Sequence, residues 1–222
     1  MVDTSLTEGM VEWVVGHVLR HHLGMDRHIH NPGHDWTPLM PPLARDRHVT
    51  VLGLGALGSA AAQALATLNF NVSGWSRSPK DIAGIQCLNG PDGLREALGL
   101  AQTLVLLLPL TGETENILNA AHMDLLPKGA VIINPGRGKL IDDEALLSAL
   151  ETGQVHHATL DVFRVEPLPK THPFWTHPRV TVTPHVASET RAKTAAMAIA
   201  ENIKRSEAGV PLLHLVDRQR GY

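Results

Sequence analysis

The absences in this 222-residue chain narrow its possible roles first. It has a single cysteine, Cys87, so no internal disulfide forms and no paired-cysteine metal site exists; a reducing cytoplasm suits it. It has no surplus of positive charge: 19 basic residues against 22 acidic ones give a formal net charge of -3. With so little with which to neutralise a phosphate backbone, nucleic acid is not an expected partner. The start, Met1-Val2-Asp3-Thr4, lacks the basic flank and apolar run of a signal peptide, and no apolar run is long enough to span a bilayer. The expectation is a soluble cytoplasmic protein without a membrane partner. No internal repeat or low-complexity tract is present. The length fits one large domain, or one domain with attached elements of a second.

What the chain does contain is an alternation of strand and helix signals. From about Leu6 to Leu23, the residues Met10, Val11, Val14, Val15, Val18 and Leu19 fall on one helical stripe. The stretch from His28 to Arg47 is rich in Pro, His and Gly and reads as an irregular surface connection. Then β-branched or leucine-rich runs follow at His48 to Leu52, Phe70 to Trp75, Thr103 to Leu108, Ala130 to Asn134, Ala158 to Val162 and Val180 to Val182. Helical segments at Leu57 to Leu68, Gly93 to Leu98, Asp143 to Glu151 and Ser188 to Glu207 separate most of them. Parallel strands need crossovers, so this order predicts an α/β fold, a doubly wound parallel sheet covered on both faces.

Fourteen histidines raise the question of a metal, above all where His21, His22, His28, His30 and His34 crowd together. The surroundings are loop-like, no cysteine is near, and no His-Glu-x-x-His pattern occurs. They are read as a solvated surface cluster, with no metal expected.

The run Gly53-Leu54-Gly55-Ala56-Leu57-Gly58 follows a strand and opens a helix, the context that makes this glycine pattern a dinucleotide-binding loop. Gly53 allows a tight turn, Gly55 a close backbone approach to a pyrophosphate, and Gly58 close packing of helix on strand. The helix N-terminus, at Ala56 and Leu57, offers N–H groups and a partial positive charge to the anion. About twenty residues on, NAD-preferring sites carry an acidic residue; here stand Ser76, Arg77 and Ser78. Hydroxyls and a guanidinium suit a 2′-phosphate where a carboxylate would repel it, so NADP(H) is favoured, with NAD(H) as the lesser cofactor.

Three segments end strands further along: Asn134-Pro135-Gly136-Arg137-Gly138, the run from Asp161 to Pro169 that contains Glu166, and Thr183-Pro184-His185-Val186-Ala187. The carboxyl ends of strands line the ligand crevice of an open α/β sheet, so Arg137, Glu166 and His185 can converge there. An Arg binds a carboxylate bidentately, a His passes a proton near neutral pH, and a Glu orients that His.

At these residues, together with Pro109-Leu110-Thr111 and Glu166-Pro167-Leu168-Pro169, the chain resembles the D-isomer-specific 2-hydroxyacid dehydrogenase family from about Leu6 to its end. The resemblance implies that Arg137, Glu166 and His185 are the catalytic trio of a hydride transfer to a small 2-oxoacid. It also implies that Asp161 contacts the nicotinamide amide, that Leu108, Pro109 and Thr111 lie beside the nicotinamide ribose, and that Asn134, Pro135, Gly136 and Ala187 line the cofactor. The closing Val216 to Tyr222, with Trp75 to Ser78, looks most like a branch acting on glyoxylate and hydroxypyruvate. Gly136 stands where relatives more often have Ala, a change expected to loosen the loop.

The resemblance also implies a flavodoxin-like lobe of roughly 90 residues ahead of the first helix, after which this chain is expected to start. The domain expectation is therefore a linking helix and irregular connection over 1–45, an NADP-binding Rossmann domain over 46–186, and a C-terminal helix and tail over 187–222 returning toward that lobe. The helices at Leu6 to Leu23 and Ser188 to Glu207 are expected to keep uncovered apolar faces. Binding of NADPH with poor turnover of glyoxylate is expected of such a truncated form. A homodimer through the Rossmann domain is implied by the resemblance. The competing reading is a nucleotide-sensing interaction protein, since transcriptional corepressors resemble the same family.

Overall fold

Helix α1 (Thr4–His22) packs its stripe inward: Met10, Val14 and Val18 are buried in one cluster with Ala61, Ala62 and Leu65 of α3 (Ala56–Thr67) and Val131 and Ile133 of the sheet. The small side chains Ala61 and Ala62 are what let the two helices approach. This corrects the expectation for the first helix, whose apolar face is covered by the chain's own cofactor-binding unit. The computed structural model describes residues 4–213 and 215; the closing run from Val216 to Tyr222 that carried part of the resemblance lies outside the described residues.

Between α1 and the sheet lie a single-turn helix, α2 (Met25–Ile29), and the irregular connection. Then come β1 (His48–Leu52), α3, β2 (Asn71–Ser76), β3 (Gln86–Asn89), α4 (Gly90–Leu100) and β4 (Thr103–Leu106). A short α5 (Ala120–Met123) precedes β5 (Ala130–Asn134), α6 (Asp143–Thr152), β6 (Val155–Leu160), β7 (Val180–Val182) and α7 (Ala192–Glu207). All strands pair in parallel in the order β3-β2-β1-β4-β5-β6-β7. The order reverses between β1 and β4, which puts the ligand crevice at the carboxyl ends of these two strands.

Alternation along the central strands feeds two cores. Val105, Val131 and Ile133 face α1 and α3, while Leu104, Leu106 and Ile132 face α4 and α6 through Leu94, Leu98, Leu146 and Leu150. Truncating Leu98, Leu104, Leu106, Leu146 or Leu150, all fully buried, to Ala costs about 2–5 kcal/mol. α6 shows how local signals fix an element: Asp142 accepts the N–H of Ala145 at 3.1 Å as N-cap, and Gly153 closes the helix at φ 74°.

The sheet has seven strands where six were expected. β3 was missed because it is a short edge strand, half-exposed and without β-branched residues. β6 starts at Val155 rather than Ala158, since His156 and His157 interrupt the apolar run. α7 starts at Ala192 rather than Ser188, because the Ser188 hydroxyl is spent on the Leu6 carbonyl of α1 at 2.6 Å. The expectation for this last helix holds: it buries none of its residues, and Met197, Ile199 and Ile203 are exposed.

Candidate active site

The glycine loop turns sharply out of β1. Gly53 has φ 108°, and a Cβ there would meet the Leu107 carbonyl at 2.5 Å. At Gly58 a Cβ would overlap the Gly53 carbonyl, so α3 can approach the strand only because this residue is glycine. Gly55 differs: nothing lies within 4 Å of the Cβ position, and the loop here faces open space. Gly55 and Ala56 are exposed, and no side chain caps the start of α3. Unfilled space before uncapped helical N–H groups is what a pyrophosphate requires.

At the end of β2, Trp75 is anchored by its indole N–H on the Gly90 carbonyl at 2.8 Å. Ser76 is buried and donates to the Ser78 carbonyl at 2.8 Å, which folds the turn and leaves Arg77 and Ser78 exposed. Arg77 lies 3.6 Å from Glu113, across the mouth of the crevice. Glu113 belongs to a loop after β4 that contains Leu108, Pro109 and Thr111. Thr114 holds that loop closed, donating to the Pro109 carbonyl at 2.7 Å and accepting the Thr111 N–H at 2.8 Å.

Asn134 ends β5 and clamps the next turn. Its side chain accepts the N–H of Gly136 and donates to the Arg137 carbonyl, each at 3.1 Å. Pro135 and Gly136 are buried and Arg137 is exposed. A Cβ on Gly136 would come within 2.7 Å of the Leu106 carbonyl. The glycine is therefore a tight fit, which corrects the expectation of a loosened loop. Gly138 packs so closely on the backbone of Phe163 that a Cβ would overlap it, and this contact brings the Arg137 turn beside the Glu166 segment.

Glu166, which precedes a cis Pro167, accepts the Phe163 N–H at 2.9 Å through Oε1 and pairs with Nδ1 of His185 at 2.7 Å through Oε2. Partial burial pushes the Glu166 carboxyl upward. The His185 and Phe163 hydrogen bonds, with the charges of His185 and Arg137, outweigh it and hold the group below its ordinary value. Arg137 is thus within electrostatic reach of the pair. The His185 ring is half-exposed, and among the described residues its Nε2 carries no hydrogen bond.

Asp161 is 0% exposed and faces inward. One carboxylate oxygen accepts the Thr183 hydroxyl at 2.5 Å and the Val186 N–H at 2.9 Å, and the other accepts the Ala187 N–H at 2.8 Å. These bonds brace the backbone around His185, which sits in the left-handed region at φ 56°. Ala187 is buried with its N–H committed to this bracing. Arg137, Glu166 and His185 were read from the sequence; Thr114 and Thr183 were not, because their work depends on a fold that a lone threonine does not announce. A groove between α1 and the loop after His185, lined by Gly9, Trp13, Val186, Ser188 and Arg191, borders the site.

The histidine cluster divides. His28, His30 and His34 are exposed, whereas His21 and His22 are not solvated as expected. His22 packs edge-on against Phe70, and His21 lies against His157 of β6 with ring centroids 4.8 Å apart. Burial, with the neighbouring His157 and Arg20, pushes His21 down to about 3; burial and Arg20 push His157 down to about 4.

An open parallel sheet with a glycine loop at its switch point, and an Arg, a Glu and a His gathered at its carboxyl edge, defines a dinucleotide-binding domain of the dehydrogenase class. The model of the D-isomer specific 2-hydroxyacid dehydrogenase NAD binding domain matches residues 13–187, and the chain belongs to that family. It is 43% identical over 221 residues to glyoxylate/hydroxypyruvate reductase A of Serratia proteamaculans (strain 568), covering 99% of this chain and 71% of the relative. Among solved structures it is similar to a D-isomer specific 2-hydroxyacid dehydrogenase from Xanthobacter autotrophicus Py2 in complex with NADPH and MES (TM-score 0.94, 44% identity, 98% of this chain and 90% of that one). It is also similar to the NADPH-dependent glyoxylate/hydroxypyruvate reductase of Sinorhizobium meliloti in complex with NADP and sulfate (TM-score 0.96, 39% identity, 100% of this chain and 72% of that one).

Proposed function

We propose that this chain carries the cofactor-binding and proton-donating machinery of an NADPH-dependent reductase of small 2-oxoacids, glyoxylate or hydroxypyruvate. The observation that carries this is the 2.7 Å pairing of His185 with Glu166 beside Arg137, at the edge of the sheet where the glycine loop opens.

In this reading Gly53, Gly55 and Gly58 hold the pyrophosphate against the N–H groups at Ala56 and Leu57. Arg77 and Ser78 meet the 2′-phosphate on a turn shaped by Ser76. Leu108, Pro109 and Thr111 wall the nicotinamide ribose; Asn134, Pro135, Gly136 and Ala187 support the lining, and Asp161, which has no exposed surface, serves through the loop it braces, a correction to the expected contact with the nicotinamide amide. NADPH, when bound, supplies the hydride for the C2 carbonyl of the substrate. Arg137 grips the substrate carboxylate through its parallel N–H donors and lays positive charge beside the carbonyl oxygen. His185, protonated, donates from Nε2 to that oxygen as it becomes an alkoxide, and Glu166 holds Nδ1 so that the ring keeps its orientation while charged. Product is the 2-hydroxyacid, with one proton taken up through His185.

The partner proposed for the exposed irregular connection between α2 and β1 is a second copy of the chain. Trp36 is 98% and Met40 90% exposed there, apolar surface that a monomer rarely leaves uncovered. No helix among the described residues is long and apolar enough to cross a membrane, and the single Cys87 suits the reducing cytoplasm in which we place the reaction.

The test is glyoxylate- or hydroxypyruvate-dependent loss of the nicotinamide absorbance, with NADPH and NADH compared. Oxidation of NADPH in preference to NADH supports the reading. Tight NADPH binding with no 2-oxoacid-dependent oxidation supports a nucleotide sensor instead.

A further inference from the structure

At the opposite end of the sheet from the glycine loop, α1, α2 and β6 bring together His21, Asp26 and His157. One ligand atom from each lies within 4.8 Å of the others. The two imidazoles are oriented from behind. Nε2 of His21 bonds the Thr159 hydroxyl at 2.8 Å, and Nε2 of His157 bonds the Thr181 hydroxyl at 2.9 Å. Thr159 and Thr181 are register partners on β6 and β7, so the neighbouring strands present the two anchors side by side. Among the described residues neither Nδ1 carries a hydrogen bond, and Asp26 uses only Oδ1, toward Arg20 at 2.7 Å. Each of the two rings in this cluster therefore keeps one nitrogen, and the carboxylate one oxygen, without a hydrogen bond among the described residues. A ring nitrogen fixed by a hydrogen bond on its far side is how metal-binding histidines are held.

We propose that His21, Asp26 and His157 form a binding site for a divalent transition-metal ion of the zinc type, completed by solvent and separate from the reductase site. The donor set of two imidazoles and a carboxylate is that of zinc rather than of calcium or magnesium, which take oxygen ligands. Tetrahedral ligands at ~2.0–2.1 Å from the ion stand about 3.3 Å apart, so the three side chains close by roughly 1–1.5 Å on binding. The Arg20 guanidinium opposes the cation and keeps the site exchangeable rather than permanent. Its consequence is mechanical: the ion ties α2, where the irregular connection begins, to strand β6 of the sheet.

The experiment is titration of the chelator-treated 222-residue chain with zinc sulfate by calorimetry, and with cobalt by visible absorption. One zinc per chain and a tetrahedral cobalt spectrum are expected, with a melting temperature that rises with zinc. His157→Ala and Asp26→Asn, each checked for native circular dichroism and unchanged NADPH affinity, should weaken that one site by tenfold or more and abolish the cobalt band, and a triple His28→Ala, His30→Ala, His34→Ala variant should keep it. Unaltered binding in His157→Ala, loss of the site in the triple variant, or no stoichiometric zinc in the parent chain overturns the proposal. NADPH oxidation is unaffected in every case, so this result stands apart from the test of the reductase.

Discussion

The carboxylate of Asp161, at the end of β6, accepts the backbone N–H of Ala187 at 2.8 Å, two residues beyond His185. One buried side chain thus sets the backbone that carries His185, the proposed proton donor, together with its bonds to Val186 and Thr183. Asp161→Asn replaces an acceptor with a donor facing N–H groups already committed. An unsatisfied buried group of this kind costs about 1–3 kcal/mol. For a chain of this size that is a fall in melting temperature of roughly 2–12 °C, read by calorimetry; an unchanged melting temperature contradicts the bracing role.

Glu166→Gln keeps the shape of the contact with Nδ1 of His185 but removes its charge. Because hydrogen bonds from His185 and Phe163 hold the Glu166 carboxyl below its ordinary value against the upward push of burial, the parent group is ionised throughout the neutral range. Turnover is expected to fall by about tenfold to a hundredfold, the usual cost of losing the group behind a working His. NADPH affinity should stay within a few-fold, which stopped-flow and binding titrations separate.

In the proposed reading, cofactor choice rests on Arg77. Arg77→Gln should weaken NADPH binding on the order of tenfold to a hundredfold, the worth of a hydrogen bond to a charged group, and leave NADH nearly unchanged. Glu113, 3.6 Å from Arg77 and exposed, would compete with the proposed 2′-phosphate for the same guanidinium. Its removal in Glu113→Gln should tighten NADPH modestly, since exposed pairs are worth about 1 kcal/mol or less. Equal effects on NADH and NADPH would contradict the assignment.

Gly136→Ala places a methyl group 2.7 Å from the Leu106 carbonyl, and backbone does not yield cheaply. The expected cost is about 1–3 kcal/mol of stability, measured by urea denaturation, with a lower affinity for the substrate carboxylate as the Arg137 turn shifts.

In chelator-treated protein, His21 and His157 set an acid dependence of stability. Both have folded values, about 3 and about 4, far below the unfolded value of 6.5. Above 6.5 neither state binds their protons and the full stability is present. As pH falls from 6.5 toward 4 the unfolded chain takes up protons that the folded chain refuses, and stability drops. A His21→Gln, His157→Gln variant should show a flatter urea midpoint between pH 7 and pH 4.5 than its parent.

Much of this was legible in the sequence because it is local. The glycine loop, the Asn134 turn and the Glu166 segment each carry their signal within a few residues of a strand end, and the parallel pairing follows from the crossovers. Features needing tertiary pairing were not legible. β3 is stabilised by its neighbour β2 rather than by its own composition. His21 looked solvated because its neighbours in sequence are polar, while the residues that bury it, His157 and Thr159, come from β6. The stripe on α1 declared itself apolar but not what covers it, which proved to be α3 and β5.

The most direct test of the central claim is glyoxylate-dependent NADPH oxidation by the parent chain and by His185→Ala, with NADPH affinity measured in both. A glyoxylate-dependent rate that falls about a hundredfold or more in the variant, with NADPH still bound to within a few-fold, is the expected result. An equal rate in the two proteins, or no glyoxylate-dependent oxidation in the parent, would contradict it.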